Sequence, residues 1–188
     1  MIEQTTMKAV VYHKKDNVTI FELQDVKVPK IEHPDDIIVR VTLSTICGSD
    51  ISTYNGYGIS TDGIIIGHEF VGEIVEKGSE VKNLELGDRV VIDAVVHCGV
   101  CYQCRQGNYA HCVDWDIYGT LRTNGCQTEF VRVPYANSCA YKIHEDLSYE
   151  DVLFVGDILS TGYFAVEVGE VTPGDTVVVF GAGPVGML

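Results

Sequence analysis

Four of the seven cysteines in this 188-residue chain fall in one short stretch, Cys98, Cys101, Cys104 and Cys112, in the pattern C-x2-C-x2-C-x7-C. A tetrahedral zinc with Zn–S bonds of about 2.3 Å holds its sulfurs roughly 3.8 Å apart. A two-residue spacer lets one tight turn bring two thiolates that close. Two overlapping units and a returning fourth cysteine can then complete a shell, with the polar linker around Gly107 supplying the bend. The spacing points to a structural four-cysteine zinc lobe. Overlapping pairs also serve as redox dithiols or disulfides, which an odd cysteine count without an export signal argues against. An iron–sulfur cluster takes four thiolates as well. The bacterial run, however, is C-x2-C-x2-C-x3-C-P, whereas here the last gap is seven residues and Val113 follows Cys112.

A second set is more dispersed. Cys47 opens the turn Cys47-Gly-Ser-Asp50, and His68-Glu69 follows Gly67 at the end of an apolar run. A catalytic zinc needs three protein ligands and one open position. Cys47 after a strand and His68 after a glycine are suitable donors, and Asp50 could accept the free ring N–H of His68. Taken singly, each reads first as structural: a buried cysteine, or a core histidine with one hydrogen bond. A third set is Gly181-x-Gly183-x-x-Gly186, which fits the dinucleotide fingerprint of tight turn and close pyrophosphate approach. Only the preceding strand of its context is present, so a plain glycine-rich turn is the alternative.

These residues must be held by a folded scaffold, and the composition allows one. Apolar residues make up 46% of the chain, enough for one full domain and part of a second. The net charge of −14 disfavours nucleic acid and anionic membrane as partners, since both need a basic face. No apolar run reaches the roughly 18 residues of a membrane span. The N-terminal heptapeptide Met1–Met7 has neither the basic nor the apolar region of a signal peptide, which implies a cytoplasmic protein.

Alternation predicts strands at Met7–His13 and Val18–Leu23 around the Lys14–Asn17 turn, then at Ile37–Leu43, Phe70–Val75, Val90–Val96 and Gln127–Val133. Pro29 and Pro34 bracket a loop. One helical turn is expected through Tyr54, ended by Gly56 and Gly58. Ser148 with Asp151 reads as a capping box, opening helical periodicity that breaks near Gly156 and runs to about Val168. Thr176–Phe180 reads as a buried parallel strand. Many short strands with glycine and proline turns give a mainly β, α+β domain.

The order and spacing of Cys47-Gly-Ser-Asp50, Gly67-His-Glu69, Gly87-Asp-Arg-Val90, the Cys98–Cys112 lobe and Gly181–Gly186 resemble those of zinc-dependent medium-chain alcohol dehydrogenases, from about Met7 to the end of the chain. The resemblance implies a GroES-like catalytic domain over 1–155 and the start of a Rossmann coenzyme domain over 156–188. It makes Cys47 and His68 catalytic-zinc ligands and Glu69 a nearby acid able to exchange onto the metal. Asp157, in Gly156-Asp-Ile-Leu-Ser-Thr-Gly-Tyr163, stands where many members carry a third cysteine ligand. That variant resembles the branch of glutathione-independent formaldehyde dehydrogenases and secondary-alcohol dehydrogenases; the alternative for Asp157 is a helix N-cap. Ser49 matches the family's relay hydroxyl, which accepts the proton of an alcohol held on zinc while hydride passes to NAD or NADP. Thr161 matches a position beside the nicotinamide.

Two departures stand out. Ser52 replaces a frequent histidine, and Gly48 offers no cation to the pyrophosphate. Trp115, Tyr118 and Tyr54 are candidates for the substrate pocket or for ordinary core and rim. Cys126 and Cys139 read as buried apolar residues. The resemblance further implies two zincs per chain, a small alcohol or aldehyde substrate and a homo-oligomer. With most of a coenzyme domain missing, these 188 residues are expected to bind zinc without oxidising alcohols. Outside that family, the competing reading is a zinc-stabilised GroES-like module without catalysis.

Overall fold

A computed structural model describes residues 2, 4–16 and 18–188. Asn17 of the expected turn, and Met1 and Glu3 of the N-terminal heptapeptide, lie outside the described residues. The β-rich expectation holds. Strands β1 (Thr6–Lys15) and β2 (Val18–Lys27) form an antiparallel hairpin. Strands β3 (Ile37–Ser44), β4 (Phe70–Lys77) and β5 (Arg89–Ile92) continue the chain, with helix α1 (Gly48–Tyr54) between the first two. The short pair β6 (Val95–Val96) and β7 (Asp116–Ile117) flanks helix α2 (Tyr102–Arg105). Then come β8 (Phe130–Val133), α3 (Ala136–Cys139) and β9 (Ala140–Lys142). Helices α4 (Tyr149–Val152), α5 (Ile158–Val168) and α6 (Pro184–Met187) close the chain. The central sheet runs β8-β3-β4-β5-β9, every pair antiparallel. One of its faces is the main core, with Ile37, Val39, Phe70, Ile74, Val90 and Ile92 all buried.

Three segments depart from the alternation pattern, each because a local bond outweighs it. Val90–Val96 is two strands rather than one. The chain bends at Asp93, whose side chain accepts the Val95 N–H at 2.9 Å, while the Ala94 N–H turns away to the Gly156 carbonyl at 3.0 Å. The strand expected from Gln127 begins only at Phe130, because Gln127 spends its backbone on Val10 and Ile66. Thr176–Phe180 is no strand: among the described residues nothing pairs with it, and Phe180 is 97% exposed. A parallel strand exists only through its neighbours. The glycine turn after it does form and leads into α6 with Pro184 at the first helical position. Gly181 has φ +109°, and a Cβ on Gly186 would lie 2.1 Å from the Gly181 carbonyl oxygen.

The expected capping box is present at the start of α4, where Ser148 and Asp151 exchange side-chain-to-backbone bonds. Cys126 and Cys139 are fully buried, as expected of apolar cysteines. Tyr118 is core, edge-on to Phe70, and Tyr54 lies over Phe21 on the outer side of α1.

The loop after β7 hangs on one buried carboxylate. Asp116 accepts the backbone N–H groups of Ile117, Arg122 and Thr123 and the Thr123 hydroxyl, at 2.9–3.1 Å. Asp116→Ala removes the acceptor of all four; a donor left buried and unpaired costs about 1–3 kcal/mol, while those near exposed Arg122 can turn to water. It should lower unfolding stability by about 3 kcal/mol in urea titrations, whereas an exposed acid such as Asp62→Ala should change it by less than about 1 kcal/mol.

Candidate metal centre and active site

Backbone crowding places His68. Gly67 has φ +93°, and a Cβ there would meet the Gln127 side chain at 2.7 Å and the Cys126 sulfur at 2.9 Å. Gly119 and Gly125 press on the same turn: a Cβ on either would strike the Ile66–Gly67 backbone within 3.0 Å. Backbone bonds from Gly125 to Ile65, Cys126 to Gly67 and Gln127 to Ile66 stitch the contact. His68 therefore leaves a turn with almost no freedom. Asp157 is placed in a related way: Gly156 lies so close to the end of β5 that a Cβ would come within 2.1 Å of the Ile92 carbonyl oxygen. Cys47 is the residue before α1, held by its N–H to the Asp50 carboxylate at 2.8 Å.

From these three origins, Cys47 Sγ, a ring nitrogen of His68 and a carboxylate oxygen of Asp157 converge to within 4.8 Å of one another. His68 Nε2 lies 3.3 Å from Asp157 Oδ2 and 3.4 Å from Ser49 Oγ, while Nδ1 faces Asp50 Oδ1 at 3.7 Å. Asp157 occupies the N-cap position of α5 but its side chain makes no capping bond; it faces His68 instead. Glu69, 2% exposed, sits behind with its Oε1 lacking any hydrogen-bond partner among the described residues. A sulfur, an imidazole nitrogen and a carboxylate oxygen suit zinc, and the histidine's second nitrogen facing a carboxylate is the usual outer arrangement. The residues present fit the ion.

The electrostatics agree. Burial raises the Asp50 carboxyl above its usual range, against the pull of His68. Burial and then the Asp157 charge do the same for Glu69. For His68, burial favours the neutral ring, but Asp157 and Asp50 outweigh it and lift the pKa to about 9. An imidazolium takes the place that a cation fills.

The four-cysteine stretch closes on itself. All four sulfurs lie within 4.8 Å of one another, Cys98 and Cys104 at 4.0 Å, near the edge of a zinc tetrahedron and far from the ~2.05 Å of a disulfide. That leaves room for one ion, not for a cluster in which thiolates hold separate irons. Backbone N–H groups point at the sulfurs: Cys98 to Cys112, Cys101 to Cys98, Cys104 to Cys101 and Asp114 to Cys112, at 3.3–3.5 Å. The N–H groups of Cys104 and Val113 lower the Cys101 thiol to about 6. Burial raises Cys104 to about 12, since neighbouring thiols cannot all ionise without a cation among them.

Against the remaining sequence expectations, Ser49 and Asp50 lie beside Cys47 and His68. Thr161 is one turn into α5, its hydroxyl 3.4 Å from Asp157 Oδ1. Gly181, Gly183 and Gly186 form a separate turn after α5. Trp115, Tyr118 and Tyr54 do not line the cavity beside the ligands, a space of about 170 Å³ bounded in part by Ser49, His68, Asp157, Ser60, Ile117 and Thr120. Ser60 and Thr120 were missed by sequence reasoning. Their only signal is the Gly119-Thr120 pair, an ordinary turn until the contact with Gly67 is known.

Comparison with known proteins settles the family. Residues 33–145 match the alcohol dehydrogenase GroES-like domain. The chain belongs to the zinc-dependent medium-chain alcohol dehydrogenases. Zinc-type alcohol dehydrogenase B of Aspergillus flavus is 37% identical, over all of this chain and 44% of its own length. The glutathione-independent formaldehyde dehydrogenase of Pseudomonas aeruginosa is 34% identical over 88% of this chain and 46% of its own. The solved alcohol dehydrogenase TADH from Thermus sp. ATN1 superposes with a TM-score of 0.88 at 39% identity, covering 96% of this chain and 52% of that one. The chain thus spans about half the length of the dehydrogenases it matches. Among the described residues no helix is long and apolar enough to cross a membrane.

Two outcomes test the centre. Asp157→Ala should remove about one zinc per chain by elemental analysis and leave the lobe's; retention of both metals would end the assignment of Asp157. Zinc must also displace the His68 proton. With that pKa raised to about 9 and the Cys47 thiol proton released as well, chelator competition should show the affinity of this site falling by at least about tenfold for each pH unit below about 9. In the metal-free chain the sign is opposite. The raised pKa stabilises the fold fully below about pH 6.5, and that stabilisation is lost as pH climbs through about 9.

Proposed function

We propose that this chain carries the catalytic-metal half of a zinc-dependent oxidoreductase that moves hydride between a small alcohol, or an aldehyde hydrate, and NAD or NADP. The observation that carries the reading is the convergence of Cys47, His68 and Asp157, from three distant parts of the sequence, beside a small cavity. A pure scaffold needs no such donor set next to an open space.

Residues 1–155 form the catalytic domain and 156–188 begin the coenzyme domain. Cys47, His68 and Asp157 hold the catalytic zinc; Cys98, Cys101, Cys104 and Cys112 hold the structural one, giving two per chain. The catalytic ion, when bound, acts as a Lewis acid toward a substrate oxygen, and the nicotinamide supplies the hydride-accepting chemistry. The chain's own residues do the rest. Ser49 Oγ, 3.4 Å from His68 Nε2, stands where a substrate hydroxyl proton can be accepted. Asp50 faces His68 Nδ1 and orients the ring. Glu69, buried and missing a partner at Oε1, is a carboxylate within reach of the ligand set. Thr161 and the glycines 181, 183 and 186 stand on the coenzyme side, where α5 and the following turn lead. The whole protein works on small neutral substrates as a soluble cytoplasmic homo-oligomer.

Two assays test this. In the full-length protein, Ser49→Ala should reduce kcat by about 10²-fold or more, as loss of a positioned proton acceptor does, while two zincs remain bound. Unchanged turnover would remove Ser49 from the mechanism. The 188-residue chain alone should bind zinc and show no NAD(P)-dependent alcohol oxidation, and measurable oxidation would refute that half of the proposal.

A further inference from the structure

The short segment from Asp93 to His97 touches both donor sets. Near its start, the Ala94 N–H donates to the Gly156 carbonyl at 3.0 Å, and the next residue after Gly156 is Asp157. Its last residue, His97, precedes Cys98. The His97 ring is fully buried and lies flat on Tyr109, with centroids 4.3 Å apart and planes 20° apart. Tyr109 belongs to the lobe, where its carbonyl accepts the Cys112 N–H at 3.0 Å. One side chain joins the two ends. Asp93 Oδ1 accepts the Val95 N–H at 2.9 Å, and Oδ2 lies 3.2 Å from His97 Nε2. The other ring nitrogen of His97 is 2.8 Å from Ser138 Oγ, so the ring is held on both edges. The run Val90–Val96 has the apolar pattern of one continuous strand, yet it bends here. The Asp93 carboxylate is the side-chain acceptor that holds the bend.

From this we infer that Asp93 is a positioning residue for the ligand Asp157, and that through His97 it couples that ligand to the four-cysteine lobe. The inference rests on the dehydrogenase reading above. Without the carboxylate nothing holds the Val95 N–H in the bend, and the segment straightens as its apolar pattern favours. The Ala94 N–H then leaves Gly156. Gly156 has no side chain to anchor it, and Asp157 makes no capping bond of its own. The Ala94 bond and the close contact with the Ile92 carbonyl are what tie this turn to the end of β5. The lobe acts along the same path. A shift of Cys98 or Tyr109 moves His97, and the carboxylate that meets His97 also sets the bend. Such coupling is reciprocal, so an ion in either donor set favours an ion in the other.

The test loads the lobe of the 188-residue chain with zinc, titrates cobalt(II) into Cys47, His68 and Asp157, and reads the visible cobalt spectrum rather than turnover. Asp93→Ala should weaken cobalt binding about tenfold, the lower end of the loss when a residue behind a metal ligand is removed, and should shift the cobalt bands. Asp93→Asn should restore both. Its carbonyl still accepts the Val95 N–H, and its amide can donate to His97 while the Ser138 hydroxyl reverses its role. Asp114→Ala is the control. It frees Arg122 and Tyr135 beside the lobe without touching the bend, and it should lower stability while leaving the cobalt affinity and spectrum unchanged. Exchanging the lobe zinc for the larger cadmium ion should shift the cobalt bands in the unsubstituted chain and not in Asp93→Ala. Should Asp93→Ala fail to fold, the cadmium exchange in the unsubstituted chain decides alone, and an unmoved cobalt spectrum there counts against the coupling. Unchanged cobalt binding in Asp93→Ala, a loss that Asp93→Asn does not repair, or an equal loss in Asp114→Ala would overturn the inference and leave the dehydrogenase reading standing. An unsubstituted chain that takes no cobalt at Cys47, His68 and Asp157 would overturn both.

Discussion

Everything at the proposed active site depends on how closely three stretches of backbone can approach. The Ile66–Gly67 turn is clamped between Gly119 and Gly125, and no side chain beyond hydrogen fits at any of the three contacts. That contact fixes the exit of His68 and brings the Thr120 loop against one wall of the cavity. It also ties the hairpin side of the molecule to the lobe side, since Val10 and Ile66 both bond to the backbone of Gln127. The buried Asp116 serves the same end from behind by holding its loop in one shape.

On that frame the chain assembles more negative charge than a buried site tolerates. Asp50, Glu69 and Asp157 surround one imidazole, and Cys47 adds a thiol. Without an ion the system answers by raising the Asp50 and Glu69 carboxyl pKa values and protonating His68. Those are the responses expected when anionic donors are gathered in low dielectric and lack a cation. The lobe answers alike, one thiol pushed down and another up. Both centres carry the same imbalance, of a kind that a divalent cation would correct.

Local features were the most legible in the sequence. The lobe could be read because all four ligands fall within fifteen residues and turn geometry alone brings them together. The α4 capping box was readable for the same reason, and most strands followed from alternation. The Cys47–His68–Asp157 set was not readable from residue types, since nothing in a lone cysteine or histidine says what lies across the fold; resemblance, not spacing, grouped them. Asp157 was ambiguous between cap and ligand, and only its missing capping bond separates the two. The bend at Asp93 and the late start of β8 were hidden because tertiary hydrogen bonds overrode alternation. Thr176–Phe180 has every local mark of a strand, yet a strand is a relation between segments. Ser60 and Thr120 were invisible because nothing local says that they meet across the fold at the cavity beside His68.

The two centres also differ in how much chain each must gather, and this sets an order in time. The lobe draws its sulfurs from Cys98 to Cys112, whereas the other site spans from Cys47 to Asp157. Closing the longer loop costs about 2 kcal/mol more chain entropy than closing the shorter one, and it also waits for the sheet between them. On a growing polypeptide the lobe can take its ion as soon as Cys112 is free of the ribosome. The other site cannot exist until Asp157 has emerged and docked on β5. On the proposed metal assignment, the lobe is the first of the two centres that a growing chain can fill.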